Sequence, residues 1–335
     1  MNRPLVSILI PFKNTQDYLL ECLKSIANQQ YKHWEVIAVN DGSTDKSLEI
    51  AKKFALQDPR FKVLNNTGKG IIEALRMAYK QADGTLITRM DSDDIMTPDK
   101  ISVMVNSLLD HGKGHIAIGQ VKYFSEKGIN NGYERYEHWL NELTEKGNNY
   151  AEIYKECVIP SPCWMVFKED LDLCDVFNPN RYPEDYDLAF RFYKNSLKCI
   201  PCDTVLHYWR DYDSRTSRTS EHYAQNYFLD IKLHYFLALD YNPEKPLVLW
   251  GAGKKGKEIA KKLVEKNIPF HWICDNPKKI GKEIYGKEML PFTILKTIKN
   301  PQTIITVANE AEQKEIQNYF HSLEQVPAKD YFFFC

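Results

Sequence analysis

Three aspartates, Asp91, Asp93 and Asp94, stand in the stretch RMDSDDIMTPDK (89–100), directly after the apolar run GTLITRM. Carboxylates this close repel one another, and at the end of a buried strand they cost stability unless a cation neutralises them. The D-x-D spacing lets Asp91 and Asp93 share one hard divalent ion. Mg2+ and Mn2+ favour such oxygen ligands and share them with substrate phosphates. A solvated loop would also tolerate the pattern, with Asp94 or Asp99 capping the helix that TPDK begins; both are expected together, Asp99 or Thr97 capping while Asp91 and Asp93 bind. Two other stretches are acid-rich: NDGSTD (40–45) carries Asp41, and YPEDYDLAFR (182–191) carries Glu184 and Asp185.

A different chemistry is suggested by GAGKKG (251–256). Gly251, Gly253 and Gly256 lie between a strand and a helix, and Asp275 ends the next strand. That is a dinucleotide fingerprint: glycines for close backbone approach, a helix N-terminus for phosphate, an acid for ribose. The pair CIPC (199–202) has C-x-x-C spacing but no second ligand pair, so two small semi-buried residues are the expected reading.

The elements that must position these groups alternate. Strands are expected at 5–12, 34–41, 61–66 and 84–91, with helices at 15–29 (capped by Asn14 or Thr15), 43–56 and 69–82. Repeated β-α units predict an α/β fold with a mainly parallel sheet flanked by helices. Ligands bind beyond the carboxyl ends of such strands, where NDGSTD, NNTGKG (65–70) and DSDD (91–94) should converge. Residues 115–220 are less regular. An aromatic amphipathic helix is expected at 221–241, packing between domains rather than lying on a membrane. After NPEKP (242–246) a small second α/β domain begins. The expected organisation is a first domain at 1–220, a helix and linker at 221–243, and a second domain at 244–335.

Composition narrows the function classes. With 335 residues, 44 Lys+Arg against 45 Asp+Glu and a net charge of −1, the chain is expected to be a soluble two-domain protein without nucleic-acid partners. No apolar run reaches the roughly 20 residues of a membrane helix, and no signal peptide is evident, so a cytoplasmic location with reduced cysteines is expected, at most touching the inner membrane face.

Taken in order, VSILIPFKN, VIAVNDGSTDKS, GTLITRMDSDDIMTPDKI and YPEDYDLAFR resemble the family 2 glycosyltransferases with a GT-A fold, over about residues 4–217. The resemblance implies transfer of a sugar from a nucleoside diphosphate donor, UDP by weight of the family, to a saccharide or lipid-linked saccharide acceptor, with inversion. It implies that Pro11 borders the nucleotide, Asp41 bonds the base, and Asp91 contacts ribose or the metal. Asp93 would bind Mn2+ or Mg2+, with Asp185 as the base beside Glu184. Two departures stand out. Arg76 replaces a small polar residue in the third helix. YWRDYDSRTS keeps Trp209 and Arg210, the latter a candidate for the diphosphate, but has Tyr212 where the family has His. His207 and His222 are the nearby alternatives to that His, each more simply read as a packed or surface residue.

The second domain resembles nucleotide-binding modules of bacterial sugar-modifying proteins, implying a dinucleotide or nucleotide sugar; the plainer alternative is a half-Rossmann module kept for packing or self-association. Two rival readings exist. A sugar-1-phosphate nucleotidyltransferase needs a Gly-rich basic loop after the first strand, which IPFKNTQDY does not supply. A nucleotide-sensing protein would not need Asp91, Asp93 and Asp185 intact.

Overall fold

The structure is a computed structural model that describes residues 3–215, 218 and 228–335. It divides into one unit of residues 1–149 and 158–215 and another of 150–157 and 216–335. The segment 150–157 groups with the second unit, a long-range association that no local signal announces.

In the first unit β1 (Val6–Phe12) and β2 (Trp34–Asn40) are buried along their whole lengths. Near-continuous apolar runs of this kind mark strands covered on both faces. Around them run β3 (Phe61–Asn65), β4 (Leu86–Arg89), β5 (Ile95–Met96), β6 (His115–Phe124), β7 (Trp164–Phe167) and β8 (Lys198–Arg210). The eight-stranded sheet has the order β3-β2-β1-β4-β7-β6-β8-β5. Strands β1 to β4 pair in parallel, β7 runs antiparallel to β4 and β6, and β6 pairs in parallel with β8. The α/β expectation with a mainly parallel sheet therefore holds. The carboxyl ends of β1, β2, β3 and β4 share one edge.

Helices α1 (Leu19–Ala27), α2 (Ser47–Ala55), α3 (Ile71–Lys80) and α4 (Lys100–His111) follow the first four strands of the expected alternation. Helix α1 starts later than expected and has no side-chain cap, because the Thr15 carbonyl accepts the N–H groups of Tyr18 and Leu19 in a preceding turn. The cap expected on α4 is also absent. Neither Thr97 nor Asp99 caps it, and Thr97 Oγ1 instead donates to the Leu206 carbonyl at 3.3 Å. The α4 N-terminus is served from outside, where Gln29 Oε1 accepts the Ile101 N–H at 3.1 Å. Helices α5 (Asn131–Lys146), α6 (Lys168–Leu173) and α7 (Glu184–Lys194) complete the unit.

The second unit contains α8 (Leu229–Leu239), β9 (Leu247–Trp250), α9 (Lys254–Glu265), β10 (His271–Cys274), β11 (Glu283–Ile284), β12 (Lys287–Pro291), β13 (Gln302–Ile305), α10 (Glu310–Ser322) and β14 (Tyr331–Phe333). Its sheet runs β11-β12-β10-β9-β13-β14 and is parallel apart from the β11–β12 hairpin. Residues 221–227 of the expected aromatic helix, His222 among them, lie outside the described residues. No described helix is long and apolar enough to cross a membrane.

Candidate active site

The loops after β1 and β2 are laced together by small polar side chains. Asn14 Oδ1 accepts the Thr44 N–H at 2.8 Å, Ser47 Oγ accepts the Thr15 N–H at 2.8 Å, and Asn40 Oδ1 accepts the Ser43 N–H at 3.0 Å. Pro11 is buried in β1, in register with Val39 of β2. Asp41 follows β2. Its Oδ1 accepts the Asn66 amide at 2.7 Å and the Gly70 N–H at 2.8 Å, pinning the loop after β3, and its Oδ2 faces Lys13 Nζ at 3.7 Å. Asp41 thus shapes this corner with one oxygen and presents the other.

Arg89, the last residue of β4, was not singled out from the sequence, yet it joins the two acidic motifs. Its Nε and Nη2 donate to Asp91 Oδ1 at 3.1 and 3.0 Å, and its Nη1 donates to Glu184 Oε1 at 2.9 Å. Glu184 opens α7, so the guanidinium brings the acidic start of that helix to the end of β4. Burial, then the adjacent Glu184 carboxylate, pushes the Asp185 carboxyl up to about 7, against the opposing pull of Arg89. A carboxylate poised there is suited to taking a proton near neutral pH.

Asp93 sits at the other side of the same acidic patch. Burial, then the Asp94 and Asp91 charges, raises it to about 7, against Arg215. Tyr212 donates its hydroxyl to Asp93 Oδ2 at 2.9 Å, so the residue standing at the family's His position does reach the D-x-D motif. Arg215 lies over the rings of Trp209 and Tyr123, at 5.4 and 5.9 Å. Arg210 is sandwiched between Tyr18 and Phe124, at 4.7 and 4.5 Å. Its Nε donates to the Asp93 carbonyl at 2.8 Å and its Nη2 to Glu21, and among the described residues Nη1 has no hydrogen-bond partner. His207 is fully buried and bonded to Asp94, so it does not stand in for the missing His.

Arg76 is occupied by the protein itself. Its Nε donates to the Phe177 carbonyl at 2.7 Å and its Nη2 to Asn180 Oδ1 at 2.6 Å, tying down the segment before α7. In CIPC, Cys202 is buried and Cys199 half-buried within β8, and neither is in a disulfide.

The donor set beside β4 consists of carboxylate and phenol oxygens. Among the described residues no group of three or more His, Cys, Asp or Glu side chains forms a ready cage for a metal. Mg2+ and Mn2+ do not require one, since one or two carboxylates with substrate phosphates and water complete their shells. Burial first, then the Asp94 and Asp91 charges, holds the Asp93 carboxyl up, and the oxygen donors gathered there are of the type that Mg2+ and Mn2+ bind.

In the second unit, Gly251 has φ +132°, and a Cβ there would meet Thr306 Oγ1 at 2.3 Å. A Cβ on Gly256 would meet the Gly251 carbonyl at 2.1 Å. These two glycines are required by the turn and by the approach of α9 to β9. A Cβ on Gly253 would meet nothing within 4 Å, and Asp275 is exposed just after β10.

Residues 7–173 match the model of the glycosyl transferase family 2. They are a family 2 glycosyl transferase domain. The chain is 37% identical over 127 residues to glycosyltransferase GlyG of Streptococcus pneumoniae serotype 4, a match covering 38% of this chain and 42% of GlyG. It is 38% identical over 106 residues to the chondroitin synthase of Pasteurella multocida, covering 32% of this chain and 11% of the synthase. The chain thus spans less than half the length of these curated relatives. Among solved structures, S. aureus TarS with UDP-GlcNAc superposes with a TM-score of 0.56 at 20% identity, covering 71% of this chain and 68% of the other. The mannosyltransferase PcManGT of Pyrobaculum calidifontis with GDP-Man and Mn2+ gives 0.50 at 17% identity, covering 71% and 64%. At these identities the likeness speaks for a GT-A-like fold.

Proposed function

We propose that the chain transfers a sugar from a nucleoside diphosphate sugar, UDP first among the candidates, to an acceptor hydroxyl with inversion, in the synthesis of a bacterial surface polysaccharide or glycoconjugate. The observation that carries this reading is the meeting of two acidic motifs at one sheet edge, Asp91 and Asp93 after β4 and Glu184 and Asp185 at the start of α7, through the buried Arg89. The family of residues 7–173 and the polysaccharide synthases among the relatives support it.

Pro11 and Asp41, with the laced loops after β1 and β2, would hold the nucleoside. Asp93, with Asp91, would hold Mn2+ or Mg2+, which when bound supplies positive charge to the departing diphosphate. Arg210, with Nη1 in reserve, would add a donor to the phosphates. Asp185 would take the proton of the acceptor hydroxyl, beside Glu184, which Arg89 Nη1 bonds at 2.9 Å. The acceptor would be a saccharide, free or lipid-linked, reached by a protein whose membrane contact is at most peripheral. Purified chain with Mn2+, offered UDP-, GDP- and dTDP-sugars, tests the reading. Nucleotide release specific to one donor is expected, and no release from any of them would overturn it.

A second reading concerns the second unit alone. Because Gly253 is not demanded by the surrounding protein, its bare backbone at the α9 N-terminus is best explained by close approach of a phosphate. Gly251, Gly253, Gly256 and Asp275 would then hold a dinucleotide or nucleotide sugar.

A further inference from the structure

Beneath the acidic loop lies a line of titratable groups that the proposed chemistry does not use. Asp94, Lys100 and His207 each have no solvent exposure, and they come from the loop after β4, the start of α4 and the middle of β8. Lys100 Nζ donates to the Pro162 carbonyl at 2.5 Å and to His207 Nδ1 at 3.2 Å. An ammonium can only donate, so Nδ1 is the accepting nitrogen and Nε2 carries the hydrogen. His207 Nε2 then donates to Asp94 Oδ2 at 2.9 Å. The other oxygen, Asp94 Oδ1, accepts the backbone N–H of Arg210 at 2.8 Å.

Burying three such groups is costly, and apolar side chains of similar volume would stabilise a fold at least as well. Stability alone therefore does not account for the set. Its far end does. Asp94 fastens the last residue of β8, and from that residue Arg210 Nε and the Tyr212 hydroxyl return to the Asp93 carbonyl and carboxylate, at 2.8 and 2.9 Å.

We propose that Lys100 and His207 are positioning residues for the cation-binding carboxylate Asp93, acting through Asp94 to lock the acidic loop to the end of β8. The inference rests on the transferase reading given above. Partners that orient a metal ligand typically contribute about 10–100-fold to metal affinity.

The test uses the full chain, UDP and Mn2+, reading by calorimetry the Mn2+ concentration that half-saturates UDP binding. His207→Gln keeps both roles, since its amide oxygen accepts from Lys100 and its nitrogen donates to Asp94. It should stay within about 3-fold of wild type, below the usual range of such effects. His207→Phe keeps the ring and loses both bonds, and should raise the half-saturating Mn2+ by about 10-fold or more. If that variant does not fold, the charge-balanced Lys100→Met/Asp94→Asn pair takes its place with the same expected rise. Half-saturation unchanged in the folded Phe or paired variant would overturn the proposal, as would a Gln variant impaired as strongly as Phe. Wild-type chain that binds UDP without any response to Mn2+ would remove the underlying reading instead.

Discussion

Replacing Arg89 with Met should both loosen the fold and shift the chemistry. The guanidinium has a side-chain exposure of 6% and bridges Asp91 and Glu184, the latter at 8%. Met keeps most of the volume and removes the charge. Glu184 is then a buried carboxylate without its cation, and breaking a buried pair by removing one partner costs about 3–5 kcal/mol. Asp91 is exposed to 21%, so water takes over much of its solvation and little more is added. The expected loss is therefore about 3–5 kcal/mol, read from urea unfolding of the full chain with an unchanged slope. The double variant Arg89→Met/Glu184→Gln removes the stranded charge and should recover much of that loss. Arg89 also pulls the Asp185 carboxyl downward, so its removal should move Asp185 above about 7. The ascending limb of the rate against pH would move to higher pH. A single variant that loses less than about 1 kcal/mol, the scale of an exposed pair, would refute the bridging argument, as would a double variant no more stable than the single.

Asp93→Ala should abolish turnover and remove the Mn2+ dependence of UDP binding while leaving the fold intact, and calorimetric titration with and without Mn2+ checks this. Glu35 is pushed up by burial but pulled further down by hydrogen bonds from Lys62, Ser7 and the Asp83 N–H, so its folded carboxyl titrates below the ordinary 4.5. Its contribution is fully present above that value and is lost as pH falls through the lower folded value. Glu35→Gln should cost about 1.5–3 kcal/mol at neutral pH, and the difference from wild type should shrink below about 4.5 in unfolding titrations. Gly253→Val should still fold, there being nothing for its Cβ to meet and only the loss of a favoured N-cap residue on α9, about 1 kcal/mol at most, and should abolish any NAD, NADP or UDP-sugar binding by the second unit in equilibrium dialysis. A stable variant that still binds such a ligand would remove Gly253 from the site.

The first hundred residues were legible because parallel strands read as unbroken apolar runs and the helices between them carry the helical period. The D-x-D motif and the acidic start of α7 were legible as types and order. Their junction was not, because Arg89 and Glu184 are 95 positions apart and an arginine before an acid reads locally as a surface charge. Tyr212 lies 119 positions from Asp93, and a substituted motif position does not reveal that the hydroxyl still arrives there. His207 looked like an ordinary packed histidine, which by burial it is. Its partners come from two other elements, so its place in a line from Lys100 to Asp94 follows only from the fold. The helix starts differ from expectation for a similar reason. Asn14, Thr15 and Ser47 serve loop-to-loop contacts, and Gln29 caps α4 from another element.

In the proposed chemistry the two acidic motifs divide the labour, with cation and diphosphate at Asp91 and Asp93 and proton removal at Asp185. The rate of sugar transfer by Asp185→Asn at saturating donor tests that division most directly, once the donor panel has named the sugar nucleotide. A fall of about 10²–10⁴-fold, the scale of a lost general base, with donor affinity nearly unchanged is the predicted result. A variant that keeps most of its transfer rate would contradict the assignment and move the base to another group, Glu184 first.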